Sequence, residues 1–151
     1  MRVLKPGGSF LGYDWCLTDK YDGRNSEHVE IKRLIEEGDG LPDLKSTHHS
    51  VSALKSVGFT VEDSRIIPEG DIPWYQPLKG GDPFFSPSNF RTTLVGRWLT
   101  RNGVWLLEKV GIAAQGSLAA LSILERAREG VVRGGETDTF TPYFFFLARK
   151  N

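Results

Sequence analysis

The residues with the most chemical potential in this chain are Tyr13, Asp14 and Trp15, a carboxylate between two aromatic rings. Aromatic faces within ~6 Å of a cation stabilise it by roughly 0.5–2 kcal/mol each, and a desolvated carboxylate can add more. The three residues could therefore stabilise a transient positive charge. The alternative interpretation is structural: Tyr13 and Trp15 pack in a core, while Asp14 caps the following turn.

The segment before them indicates how they are positioned. Lys5-Pro6-Gly7-Gly8 cannot continue a helix, and the apolar run Ser9-Phe10-Leu11-Gly12 follows directly. We therefore predict a strand over residues 9–17 that is buried on both faces. Its carboxyl end delivers the three residues to the sheet edge where ligands bind in open α/β folds.

The remaining pattern predicts an alternation of helices and strands. Gly38 is the expected stop of the first helix, and a long loop over residues 68–90 separates the two halves of the chain. The loop's aromatic residues, Trp74, Tyr75, Phe84, Phe85 and Phe90, either wall a pocket or pin the loop to the core. The predicted helices cover about 27–37, 47–57, 92–110 and 117–132, and the later strands cover 60–67 and 140–149.

Composition excludes several classes of function. The 151 residues are 39% hydrophobic and 25% charged with a net charge of zero, which is ordinary for one soluble domain and argues against nucleic-acid binding. Cys16 is the only cysteine, so no disulfide framework forms. The three histidines lack zinc-ligand spacing, and no metal site is predicted. No apolar stretch approaches the ~20 residues of a spanning helix.

Several ordered motifs resemble one enzyme family. Leu4-Lys5-Pro6-Gly7-Gly8 resembles the element before the fifth strand of S-adenosylmethionine-dependent methyltransferases. The run through Asp22 is similar to the sterol 24-C-methyltransferases, whose members carry Tyr-Glu-Trp and then Thr-Asp-Lys-Tyr-Asp. Further matches occur at 37–42, 53–59, 72–78, 90–92, 107–111, 134–135 and 140–150.

The resemblance implies an α/β fold. The chain would be the C-terminal half of a Rossmann-like class I methyltransferase sheet with a helical cap, and the last strand would return antiparallel between the two earlier ones. Residues 1–85 would be the C-terminal part of the core, and residues 86–151 the sterol methyltransferase C-terminal domain. No G-x-G-x-x-G occurs, and Met1 falls inside an expected helix. We therefore expect no cofactor-binding residue in this chain.

The implied reaction transfers a methyl group from S-adenosylmethionine to C24 of a sterol side chain, in sterol biosynthesis. A carbocation forms, a hydride shifts and a proton leaves. Tyr13, Asp14 and Trp15 would be the catalytic residues, although Asp14 replaces the family's glutamate and retracts the carboxylate by one methylene. The expected substrate-binding residues are Cys16, Thr18, Asp19, Trp74, Tyr75, Phe84, Phe85 and Phe90.

Two other classes of function stay open: a non-catalytic sterol- or lipid-binding module, and an inactive truncated product. The isolated chain is expected to be inactive and to form homo-oligomers through exposed sheet edges. The helix at 92–110 carries Trp98 and Trp105 among Arg97, Arg101 and Lys109. It either packs on a core or lies on a membrane surface. The expected location is therefore peripheral, on the cytoplasmic face of the endoplasmic reticulum or another membrane, and otherwise cytoplasmic.

Overall fold

The computed structural model describes residues 4–67, 70–79 and 93–151. All helices and strands predicted from the sequence are present, with their ends within four residues of the predicted ends, and the described part of the long loop adds one short helix. The elements in chain order are β1 Ser9–Leu17, α1 Ser26–Asp39, α2 Thr47–Ser56, β2 Phe59–Ile66, α3 Gln76–Lys79, α4 Leu94–Lys109, α5 Ser117–Glu136 and β3 Phe140–Lys150.

The three strands form one sheet in the order β1-β3-β2, with β3 antiparallel to both neighbours. This confirms the predicted return of the last strand between the two earlier ones. Because β3 pairs on both sides, it holds much of the buried apolar surface, including Phe140, Phe144 and Ala148. The sheet therefore crosses the predicted domain boundary at residue 86, since its central strand belongs to the second segment.

The prediction that β1 is buried on both faces is wrong. Leu11 and Tyr13 are each 62% exposed, and burial begins only at Cys16 and Leu17. Within the described residues β3 is the only strand that pairs with β1, apart from a single bridge between Leu17 and Ser46, and helices cover only the carboxyl end of β1. Val51 and Leu54 of α2 pack near Cys16 on one face, whereas α1 contacts Leu17 on the other.

The contact between α1 and α5 depends on small residues. A Cβ added at Gly38 would lie 2.3 Å from the Cβ of Ala127 in α5. Gly38 is therefore not the helix stop predicted from the sequence, because α1 continues to Asp39 and ends at Gly40, whose φ is +63°. The close approach buries Ile31 and Ile35 of α1 against α5 and Phe140.

The hairpin of α4 and α5 is much more open than the sheet. Gly96 is the buried residue of α4, while Leu94, Val95 and Trp98 are 61–78% exposed. Among the described residues, no helix combines the length and apolarity needed to cross a membrane. The hairpin is therefore attached mainly through the second half of α5, where Ala127, Gly130 and Val131 are buried.

Candidate functional site

The predicted site lies where β1 ends beside an irregularity in β3. The register shifts between Asp14 and Cys16, which pair with Phe144 and Thr141. The extra residue is in β3, at Pro142-Tyr143, and a proline cannot donate a ladder hydrogen bond. The ring of Trp15 packs against Phe140 and the ring of Tyr13 against Phe145, whereas the side chains of Asp14 and Cys16 reach Ser50 of α2.

Both oxygens of Asp14 accept hydrogen bonds. The Ser50 hydroxyl of α2 donates to Oδ2 at 3.1 Å, and the backbone N–H of Trp15 donates to Oδ1 at 3.0 Å. The second bond is the local kind expected of a turn-capping aspartate. The first ties the carboxylate to another element, so Asp14 is oriented by tertiary structure.

Cys16 lies beneath the same hydroxyl. Its Sγ is 3.5 Å from Ser50 Oγ, and the side chain has no exposed surface. Burial raises the pKa of the Cys16 thiol to about 11, and the nearby charge of Asp14 adds to the shift, although the Ser50 bond opposes it. Cys16 is therefore a neutral thiol at physiological pH.

Thr18 and Asp19, two further residues predicted to bind the substrate, differ in their exposure to solvent. Thr18 is 8% exposed, its hydroxyl donates to the backbone carbonyl of Asp138, and it accepts from the Lys20 N–H at 3.2 Å. Asp19 is exposed. The geometry gives Cys16 and Thr18 structural contacts within the chain, and their role in substrate binding stays a prediction.

The structure brings the predicted aromatic residues of two distant segments together. Phe140 lies between them, with its ring centroid 5.3 Å from Trp15 and 5.9 Å from Trp74. The ring centroid of Trp74 also lies 5.6 Å from that of Tyr75 and 6.4 Å from that of Tyr143. Phe84, Phe85 and Phe90 lie outside the described residues. Phe140 and Tyr143 were missed as site residues, although the aromatic run in the last strand was a visible signal.

A concavity of about 410 Å³ opens at this end of β1. It is lined by Tyr13, Asp14 and Trp15 together with Asp39, the last residue of α1, and Leu41, just after that helix. Partial burial raises the pKa of Asp39 above its ordinary value of 3.8. Sequence reasoning missed both of these residues, and the matched segment at 37–42 was the signal for them. The arrangement can hold an apolar molecule that carries a positive charge.

The described residues do not form a cradle for S-adenosylmethionine. Such a cradle needs a glycine-rich turn between a strand and a helix N-terminus. Gly7 and Gly8 precede β1, whereas Gly134 and Gly135 lie inside α5 against Phe140 and Tyr75. The pair at 80–81 lies outside the described residues. Within the described ranges, no three His, Cys, Asp or Glu side chains are arranged to hold a metal ion.

Comparison with known proteins shows which families the chain is similar to. Residues 88–151 match the family described as sterol methyltransferase C-terminal. The chain is 49% identical over 150 residues to cycloartenol-C-24-methyltransferase of Arabidopsis thaliana, covering 99% of this chain and 44% of that protein. It is 42% identical over 156 residues to sterol 24-C-methyltransferase of Clavispora lusitaniae, covering 99% of this chain and 42% of that protein.

A solved chain from Galdieria sulphuraria that carries the name sarcosine dimethylglycine methyltransferase superposes with a TM-score of 0.53 at 19% identity. The aligned region covers 99% of this chain and 44% of the solved chain. The fold is therefore a methyltransferase fold, as predicted. Over nearly its whole length the chain corresponds to the C-terminal part of sterol 24-C-methyltransferases, which confirms the resemblance found in the sequence. It spans less than half the length of these curated relatives.

Proposed function

We propose that this chain forms the sterol-facing part of an enzyme that methylates C24 of a sterol side chain. The observation that carries the proposal is the concavity at the end of β1, where Tyr13, Asp14 and Trp15 lie together with Asp39. The names of the relatives, which specify C24 methylation of sterols and of cycloartenol, support the substrate class.

In this proposal the residues stabilise a carbocation on the sterol side chain. Each aromatic face contributes roughly 0.5–2 kcal/mol to the charged state, which corresponds to roughly 2- to 30-fold in rate. Asp14 supplies a negative charge whose orientation is set by Ser50 and the Trp15 N–H. Trp74 and Tyr75, joined to Trp15 through Phe140, supply apolar surface for the sterol.

S-adenosylmethionine is the proposed methyl donor because the relatives are methyltransferases. The described residues do not form its cradle, and we place its site in the part of the relatives that this chain does not span. The residues of this chain would act on the sterol alone.

The test uses the full-length enzyme that contains this chain. Asp14→Asn keeps the shape of the side chain and removes its charge, so kcat should fall at least tenfold with little change in KM for the sterol. Tyr13→Leu should also lower kcat more than it raises KM. Asp63→Asn and Phe10→Leu are the matched controls, because neither residue lines the concavity. Near-normal turnover of Asp14→Asn would exclude this carboxylate from the chemistry.

The second candidate function is a sterol- or lipid-binding module without catalysis. It is favoured by the absence of a cofactor cradle among the described residues. Methyl transfer to a sterol by the full-length protein, monitored with a labelled donor, distinguishes the two. Tight sterol binding without any transfer would establish the binding module.

We also propose peripheral contact with a membrane through α4, at the cytoplasmic face of the endoplasmic reticulum or another membrane. Leu94, Val95, Trp98 and Trp105 are exposed on this helix, and Lys109 Nζ lies 5.3 Å from the centre of the Trp105 ring. Trp beside basic residues is typical of helices in the membrane interface. Binding to vesicles that contain anionic lipid should weaken in Trp98→Gln, whereas Trp74→Gln should leave it unchanged.

Homo-oligomer formation through the outer edge of β1 is a separate proposal. Within the described residues this edge has no partner strand, and such edges pair readily with another chain. Sedimentation should show a dimer that dissociates when Leu11 is replaced by Lys. A monomer at high concentration would refute it.

A further inference from the structure

We propose that the two carboxylates at the concavity have different tasks, with Asp39 accepting the proton that leaves the sterol and Asp14 acting as a fixed negative charge. The inference rests on the proposed function and extends it to a residue with no role in the predictions from sequence. It begins from the placement of Asp14 and Asp39 around one cavity, together with Tyr13, Trp15 and Leu41.

The contacts of Asp14 suit a fixed charge. Oδ1 accepts from the Trp15 N–H at 3.0 Å and Oδ2 from Ser50 Oγ at 3.1 Å. Ser50 is itself 3.5 Å from Cys16 Sγ, which is fully buried. A carboxylate whose oxygens are both occupied can stabilise a neighbouring cation without moving, which is the condition for electrostatic preorganisation.

The surroundings of Asp39 suit a base. Among the described residues, no N–H or hydroxyl donates to its carboxylate, so its oxygens are available to a substrate proton. It is the last residue of α1, where the negative end of the helix dipole disfavours a further negative charge. Partial burial also raises its pKa, and a carboxylate with a raised pKa holds a captured proton more firmly.

The step balances without an oxidant or a reductant. A C–H bond next to the cationic carbon breaks, its electron pair forms the new carbon–carbon double bond, and the proton passes to an oxygen of Asp39. Water then takes the proton from the carboxyl group and restores the carboxylate.

Product analysis of the full-length enzyme tests the assignment. Asp39→Asn should lower kcat at least tenfold with KM for the sterol nearly unchanged, and part of the methylated product should become an alcohol because water captures the cation. Asp14→Asn should slow the reaction without that diversion. Glu37→Gln is the matched control, since Glu37 is a neighbouring acid paired with Arg33 and does not line the concavity. Unchanged turnover and products in Asp39→Asn would overturn the proposal.

A binding measurement separates this inference from the proposed reaction. The probe is a sterol analogue with an ammonium nitrogen at the position of the cation, compared by calorimetry with its neutral ether. Asp39→Asn should reduce the preference for the ammonium analogue at least threefold, and Glu37→Gln should not. Melting curves check folding, which Asp39→Asn should preserve because it removes an unfavourable charge from a helix end. If the wild type transfers no methyl group, the proposed reaction fails, and a preference carried by Asp39 then shows only that its carboxylate lies near a bound cation. If Asp39→Asn leaves the preference unchanged, the role of Asp39 fails.

Discussion

The site around β1 and the hairpin of α4 and α5 are built in opposite ways. Next to the site, α1 and α5 lie so close that their backbones are nearly in contact. A Cβ added at Gly38 would lie 2.5 Å from the Cα of Ala127, and one added at Gly130 would lie 2.7 Å from the Cβ of Leu34. In α4, a Cβ added at Gly103 would meet nothing within 4 Å. Small residues therefore create dense packing in one region and leave open surface in the other.

The difference shows how one helix can serve two purposes. The second half of α5 is buried through Val131 and Val132 and supports Phe140 beneath the site. The first half carries Ile123 and Leu124, which are 48% and 59% exposed. Dense packing supports the end of β1 at the concavity, whereas the hairpin leaves apolar side chains exposed. The two regions should therefore respond differently to mutation.

The largest expected effect is at Gly38. Gly38→Ala places a methyl group against the backbone of Ala127, which cannot move away without separating α1 from α5. The free energy of unfolding should fall by about 3 kcal/mol, at the upper end for an overpacked core. Urea titration measures it. Gly103→Ala is the matched control in an open helix, and equal effects at the two glycines would contradict the contrast between the regions.

Cys16 should make stability depend on alkaline pH. Its pKa is about 11 in the folded chain against an ordinary value of 9.0. The folded state therefore retains the proton longer than the unfolded state does. The thiol's contribution to the free energy of unfolding is fully present below pH 9. As the pH rises towards 11, the free energy of unfolding falls by about 2 kcal/mol. Urea titrations between pH 8 and about 11 should show this loss in the wild type. The loss should be smaller in Cys16→Ala, and identical pH profiles would refute the assignment.

Glu108 should affect the hairpin alone. Its two oxygens accept from the N–H groups of Gly116 at 2.7 Å and Leu118 at 3.1 Å. Glu108 thereby caps α5, whose N-cap Gly116 has no side chain to do so. Glu108→Ala should cost about 1 kcal/mol. Hydrogen exchange should speed up in the first turns of α5 and stay unchanged in β3. Faster exchange throughout the sheet would mean that the two regions unfold together.

The smallest expected effect is a gain. Gly103→Ala adds a methyl group in open space and restricts the unfolded chain, so the hairpin should become more stable by roughly 0.5–1 kcal/mol. Hydrogen exchange in α4 measures this change directly. A loss of stability would indicate that α4 packs more closely than the structure shows.

Much of the fold could be predicted because its signals are local. Pro6-Gly7-Gly8 predicted the start of β1, the run from Phe140 predicted β3, and Gly38 predicted the end of the first helix. The helix that was expected to stop at Gly38 instead ends at Gly40. The sequence could not distinguish a glycine that ends a helix from one that admits another helix, because the second role depends on Ala127, far along the chain.

Residue order alone determined the succession of strands and helices, the sharing of one face by Tyr13 and Trp15, and the resemblance to sterol methyltransferases. Those features follow from dihedral preferences and side-chain periodicity, which act over a few residues. Only the tertiary structure decided that Ser50 holds Asp14, that Asp39 joins the concavity, and that Phe140 connects Trp15 with Trp74. It also decided that most of β1 is exposed, because burial depends on which helices pack against a strand and not on how apolar the strand is.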